Sequence, residues 1–100
     1  MKYLNYKGKK LPYRVSYYAL KHFEEQTGKV FEEIEKPGTA DLELLMWYAL
    51  QAGHKAEGMP MEISQEDVEL VLDECYVELL QAAQGGFQET KKKGIASLFR

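Results

Sequence analysis

Tyr17-Tyr18-Ala19-Leu20-Lys21-His22-Phe23-Glu24-Glu25-Gln26-Thr27-Gly28-Lys29-Val30-Phe31-Glu32-Glu33-Ile34 is the stretch whose reading decides the fold. Ala19, Leu20, Phe23 and Thr27 recur at the spacing that puts them on one face of an α-helix. Ser16 is positioned as its N-cap, and Gly28 supplies the left-handed residue that stops it. Beyond the stop, Lys29 to Lys36 has the pattern of two further turns with Val30, Phe31 and Ile34 inward, closed by Pro37-Gly38.

Working outward towards the N-terminus, Tyr3-Leu4-Asn5-Tyr6 and Leu11-Pro12-Tyr13-Arg14-Val15 flank Lys7-Gly8-Lys9-Lys10. Aromatic and branched residues on both sides of a Gly-containing turn predict a hairpin over about residues 1–15. Pro12 lacks an N–H, so the pair is expected at an edge, and so small a hairpin must pack on helices to persist.

In the other direction Thr39 is the expected cap of a helix over about Ala40–Gly53, with Asp41 and Glu43 complementing its dipole. Leu42, Leu45, Met46, Ala49 and Leu50 form its inner stripe. Leu44, Trp47 and Tyr48 carry apolar surface round to the far side, beyond what so small a bundle can cover. These three residues are the candidate partner-binding surface. His54 to Met61 reads as a loop, and Ser64-Gln65-Glu66-Asp67 as a near capping box opening the last long helix. Val68, Val71, Leu72, Cys75, Tyr76, Leu79, Ala82 and Ala83 hold its apolar spacing as far as Gly85-Gly86. The expected fold is mainly α: a small helical bundle of three to four helices with a short N-terminal β-hairpin. It occupies residues 1–86 as one domain, and 87–100 form a basic tail or docking helix.

The formal net charge of −3 conceals a segregation. Residues 1–29 hold seven Lys or Arg and two Glu, residues 30–90 two Lys and fourteen Asp or Glu, and residues 91–100 four cations. Such a chain either neutralises itself in the folded monomer or makes head-to-tail contacts with other copies or partners. Glu66, Glu69, Asp73 and Glu78 face away from the apolar stripe of the last helix, with no cation between Lys55 and Lys91. They form either a solvated face or a contact for a basic partner or for the basic ends of a neighbouring subunit, Lys91, Lys92 and Lys93 among them.

Chemistry is hard to find in this pattern. His22 and His54 have no ligand-spaced companion, so no metal site and no cofactor is expected. His22 lies off the apolar face and is expected at the surface. Cys75, the single cysteine, falls on the buried stripe and reads as a small hydrophobe. The neighbouring pairs Glu24-Glu25, Glu32-Glu33 and Asp73-Glu74 point about 100° apart on a helix and do not converge. An enzyme is therefore not expected. No run approaches the ~20 apolar residues of a membrane span, and the first residues lack the apolar core of a secretory signal, so a cytoplasmic protein is expected. The lysines and tyrosines of the hairpin resemble a single-strand binding platform, but the acidic middle would repel phosphate, which makes nucleic acid an unlikely partner.

The order of elements, with the Glu24-Glu25-Gln26-Thr27-Gly28 turn, the Leu44-Leu45-Met46-Trp47-Tyr48-Ala49-Leu50 helix and the Ser64-Gln65-Glu66-Asp67-Val68 opening, resembles the tail assembly chaperones of long-tailed, siphovirus-like bacteriophages and prophages. The likeness covers about residues 10–84. It implies a protein that coats the helical tape-measure protein, keeps it soluble while tail tube subunits polymerise, and is absent from the mature virion. It also implies possible contact with the tail tube subunit and possible homo-oligomerisation. In such families a longer form often arises by frameshifting, and an A-rich run encoding Lys91-Lys92-Lys93 would be the place for it. The alternatives are a head–tail completion or adaptor protein that stays in the particle and, third, a small nucleic-acid-binding regulator.

Overall fold

Two left-handed residues turn the chain back on itself at the start. Lys7 has φ 49° and Gly8 φ 75°, the signs of the tight type I′ turn whose twist suits a two-residue hairpin. The computed structural model describes residues 1–82, with side chains through Tyr76. In it β1 (Lys2–Tyr6) pairs antiparallel with β2 (Lys9–Tyr13), with Leu4 opposite Leu11 and Tyr3 opposite Pro12. Leu4, Leu11 and Tyr13 are buried, so the hairpin contributes to the core rather than decorating it.

Helix α1 (Tyr17–Thr27) buries Ala19, Leu20 and Phe23 and stops at Gly28, whose φ of 74° lets its N–H return to the Glu24 carbonyl at 2.8 Å. Ser16 has the extended backbone of an N-cap, but its hydroxyl makes no capping bond. The two further turns expected over Lys29–Lys36 are reduced to one 3₁₀ turn, Phe31–Glu33. Val30 and Ile34 on either side are extended, as β-branched residues prefer, and Pro37 disfavours helix at the residue before it. Phe31 is still inward, edge-on to Phe23 with ring centroids 5.4 Å apart.

Helix α2 (Thr39–Glu57) starts one residue earlier than expected and runs four residues further. Its cap is Gly38, not Thr39: the Asp41 carboxylate accepts the Gly38 N–H at 3.4 Å. Gly53 does not end the helix. A Cβ there would overlap the backbone of Pro12 and Tyr13, lying 2.6 Å from Tyr13 Cα. The missing side chain is what lets β2 lie across α2 and the Arg14 N–H reach the Ala49 carbonyl at 2.9 Å. The helix stops instead at Gly58, φ 68°.

Helix α3 (Gln65–Ala82) opens as the Ser64–Asp67 pattern predicts: the Asp67 carboxylate accepts the Ser64 N–H at 2.9 Å and its hydroxyl at 3.1 Å. Val68, Val71 and Cys75 are inward, whereas Leu72 is half-buried and Tyr76 is exposed, contrary to the expected stripe. The backbone leaves helical geometry at Cys75 (φ −107°, ψ 15°), whose thiol donates to the Asn5 carbonyl of β1 at 2.7 Å.

The result is a mainly α fold: α1 packs along α2, and the hairpin wedges between α2 and α3, with β2 on the former and β1 on the latter. The expected Gly85-Gly86 stop, Ala83 and the 87–100 tail with Lys91, Lys92 and Lys93 lie outside the described residues, as do the side chains of Glu78, Leu79 and Ala82.

Candidate partner-binding surfaces

With one side of α2 closed over β2 and the core, its far side is what remains. Leu45, Met46, Ala49 and Leu50 are fully or almost fully buried. Leu44, Trp47 and Tyr48 are half-buried and rest on the rim of that core. Helical spacing places Leu44 one turn before Trp47 and Tyr48, so the three form one surface with an apolar body.

The seam between α1 and α2 organises part of this surface. His22 stacks on Tyr48 (ring centroids 5.4 Å, 27° between planes) and tilts against Tyr18 (4.3 Å), with Nδ1 3.6 Å from Glu25 Oε1. It is therefore half-covered by two aromatic rings rather than an ordinary surface histidine. The Tyr18 hydroxyl donates to Gln51 Oε1 at 2.7 Å, and Lys55 lies over the Tyr18 ring, 4.5 Å from its centroid. Tyr48 is thus held against α1 by the His22 ring. The sequence reading missed Tyr18, His22, Gln51 and Lys55, because their only signal is i,i+4 spacing on two helices whose facing register it does not state.

Of the four residues expected on the acidic face of α3, the side chains of three are described. Glu66, Glu69 and Asp73 are exposed, and none makes an ion pair with a described residue. Glu43 from α2 joins Glu66 and Glu69 along an open depression of about 600 Å³. Among the described residues no group of His, Cys, Asp and Glu is arranged to hold a metal ion.

The basic head, residues 1–29, is tied to the acidic middle within one chain by two ion pairs and a backbone hydrogen bond. Lys9 pairs with Glu62 at 3.2 Å, Lys29 with Asp41 at 3.1 Å, and the Lys7 N–H approaches Glu74 Oε1 at 3.5 Å. The Tyr3 hydroxyl donates to Glu57 in the last turn of α2. That hydrogen bond, then desolvation and the carboxylate's charge, hold the phenol above its ordinary range. Exposed contacts of this kind are screened by solvent, so Lys9–Glu62 and Tyr3–Glu57 orient the hairpin more than they stabilise it.

A third feature has no counterpart in the sequence reading. The outer end of the hairpin and the α2–α3 connection enclose a pocket of about 540 Å³, walled by Leu11, Met59, Pro60 and Ile63 and rimmed by Lys7, Lys9 and Lys10. His54, assigned to a loop by sequence, belongs to α2 and is only 3 % exposed where it borders this pocket. Its Nδ1–H donates to the Leu50 carbonyl at 2.7 Å.

No family model, curated protein or solved structure matches this chain. Among the described residues, no helix is long and apolar enough to cross a membrane.

Proposed function

We propose that this chain is a non-enzymatic tail assembly chaperone of a long-tailed phage or prophage, binding the tape-measure protein in the host cytoplasm and leaving before the virion is complete. The observation that carries the reading is the far side of α2. Leu44, Trp47 and Tyr48 stay half-covered after the core has closed, and the His22 ring holds Tyr48 against α1. A tape-measure protein is a long amphipathic helix, and its apolar stripe would dock on such a rigid aromatic surface. Each contact is small, so one copy binds weakly and is readily displaced by tube subunits, while many copies along one filament hold it in solution.

The nucleic-acid alternative is disfavoured by the hairpin's own partners. Lys9 and Tyr3, two of its interleaved cations and rings, are engaged by Glu62 and Glu57. An adaptor that remains in the particle would use similar surfaces and is separated by experiment. Co-expression with the candidate tape-measure protein is expected to yield a soluble complex holding several copies of this chain, and purified virions are expected to lack it. No complex, with the tape-measure protein still insoluble, would overturn the reading, and so would stoichiometric retention in virions.

A further inference from the structure

The half-covered face of α2 has unlike flanks. From Trp47, Tyr48 lies about 100° round the helix in one direction, and Glu43, four residues back, about 40° in the other. On the Tyr48 side stands α1, whose His22 ring stacks on it. On the Glu43 side stands the start of α3, where Glu66 and Glu69 share with Glu43 the depression of about 600 Å³. Leu44 and Trp47 therefore form a floor between an aromatic wall and a wall of carboxylates. None of the three carboxylates pairs with a cation among the described residues, so their charges add instead of cancelling. A helix seated on the apolar floor brings its own side chains against both walls.

We infer that the segment recognised on this face is an amphipathic helix with Lys or Arg along one edge of its apolar stripe and not the other. Its apolar residues cover Leu44, Trp47 and Tyr48, and its cations, three or four residues apart, meet Glu43 and Glu69. An acidic edge in the same place is set against three carboxylates and is rejected. The wall thus selects among helices that the floor alone would accept equally. Because the wall is open to solvent, the selection is sensitive to salt. It rests on the binding role proposed for the α2 face and adds which helices that face takes.

Two synthetic, tryptophan-free helices test this on the full chain, with Trp47 emission as the readout and near-UV circular dichroism to confirm that each variant is folded. They share a leucine stripe and differ only in carrying lysine or glutamate along one edge. At about 0.01 M salt the lysine helix is expected to bind about tenfold more tightly, and near 1 M, where the Debye length falls from about 30 to 3 Å, the two bind alike. Glu43→Lys with Glu69→Lys is expected to invert the preference, with Glu66 left in place because it serves the first turn of α3. Glu43→Gln with Glu69→Gln removes the charge without reversing it and is expected to bring the two helices close to equal binding. Equal binding of both helices to the wild-type chain would overturn the inference while leaving the binding role of α2 standing. No shift of Trp47 with either helix would overturn both. An inversion produced as well by Glu24→Lys with Glu33→Lys, the same change of net charge at exposed positions elsewhere, would reduce the preference to overall charge and overturn the inference. So would a preference that appears only when Lys91, Lys92 and Lys93 are replaced by glutamate, since the carboxylate wall would then belong to the chain's own tail.

Discussion

The two sides of α2 carry similar residue types and end in different states. On the inner side the packing is so close that Gly53 touches strand backbone and a carbonyl of the helix, Ala49, accepts the Arg14 N–H. On the outer side Leu44, Trp47 and Tyr48 are equally apolar but only half-covered, held by ring contacts at one edge. Hydrophobicity alone does not distinguish the two sides. What distinguishes them is which described element lies against each, and the hairpin is used on the inner side.

The contrast is sharpened by removing atoms from each side. Leu50→Ala, on the closed side, is expected to cost about 3 kcal/mol, the transfer term plus an unfilled cavity. Chemical denaturation with an unchanged m-value would show it. Gly53→Ala should come next. Overpacking against Pro12 and Tyr13 costs up to about 3 kcal/mol, and alanine's better helix propensity returns about 1, leaving a net loss near 2 kcal/mol. A stabilised Gly53→Ala protein would mean that β2 does not cross the helix here. On the open side Trp47→Ala is expected to cost about 1–2 kcal/mol, less than full burial of so large a side chain would give, because the indole is only partly buried when the protein is alone. A loss comparable to that of Leu50→Ala would make Trp47 a core residue and remove the contrast.

These elements also mark how far the residues alone can be read. The hairpin, α1 with its Gly28 stop and the Ser64–Asp67 opening of α3 are legible because each is specified locally, by turn chemistry, a cap or a short period. Gly53 is not: the same glycine that ends a helix also permits a close crossing, and only the position of Pro12 decides between them. The 3₁₀ turn at Phe31–Glu33 reads as longer helix because the Val30, Phe31 and Ile34 pattern is satisfied by one aromatic contact to Phe23. For the candidate surfaces, Leu44, Trp47 and Tyr48 and the acidic face of α3 are visible as excess apolar and acidic residues. The His22 sandwich and the lysine-rimmed pocket bring together residues far apart in sequence, and no local signal announces them.

Trp47 is the only tryptophan in the chain, so it reports directly on the surface on which the proposed function rests. The decisive measurement is its fluorescence as a tryptophan-free amphipathic segment of the tape-measure protein is added. A saturable blue shift, abolished when Leu44 and Tyr48 are replaced by alanine, is the predicted result, because docking replaces water around the indole with apolar side chains. Binding detected by another method with the Trp47 emission unchanged would contradict it and move the partner site off α2.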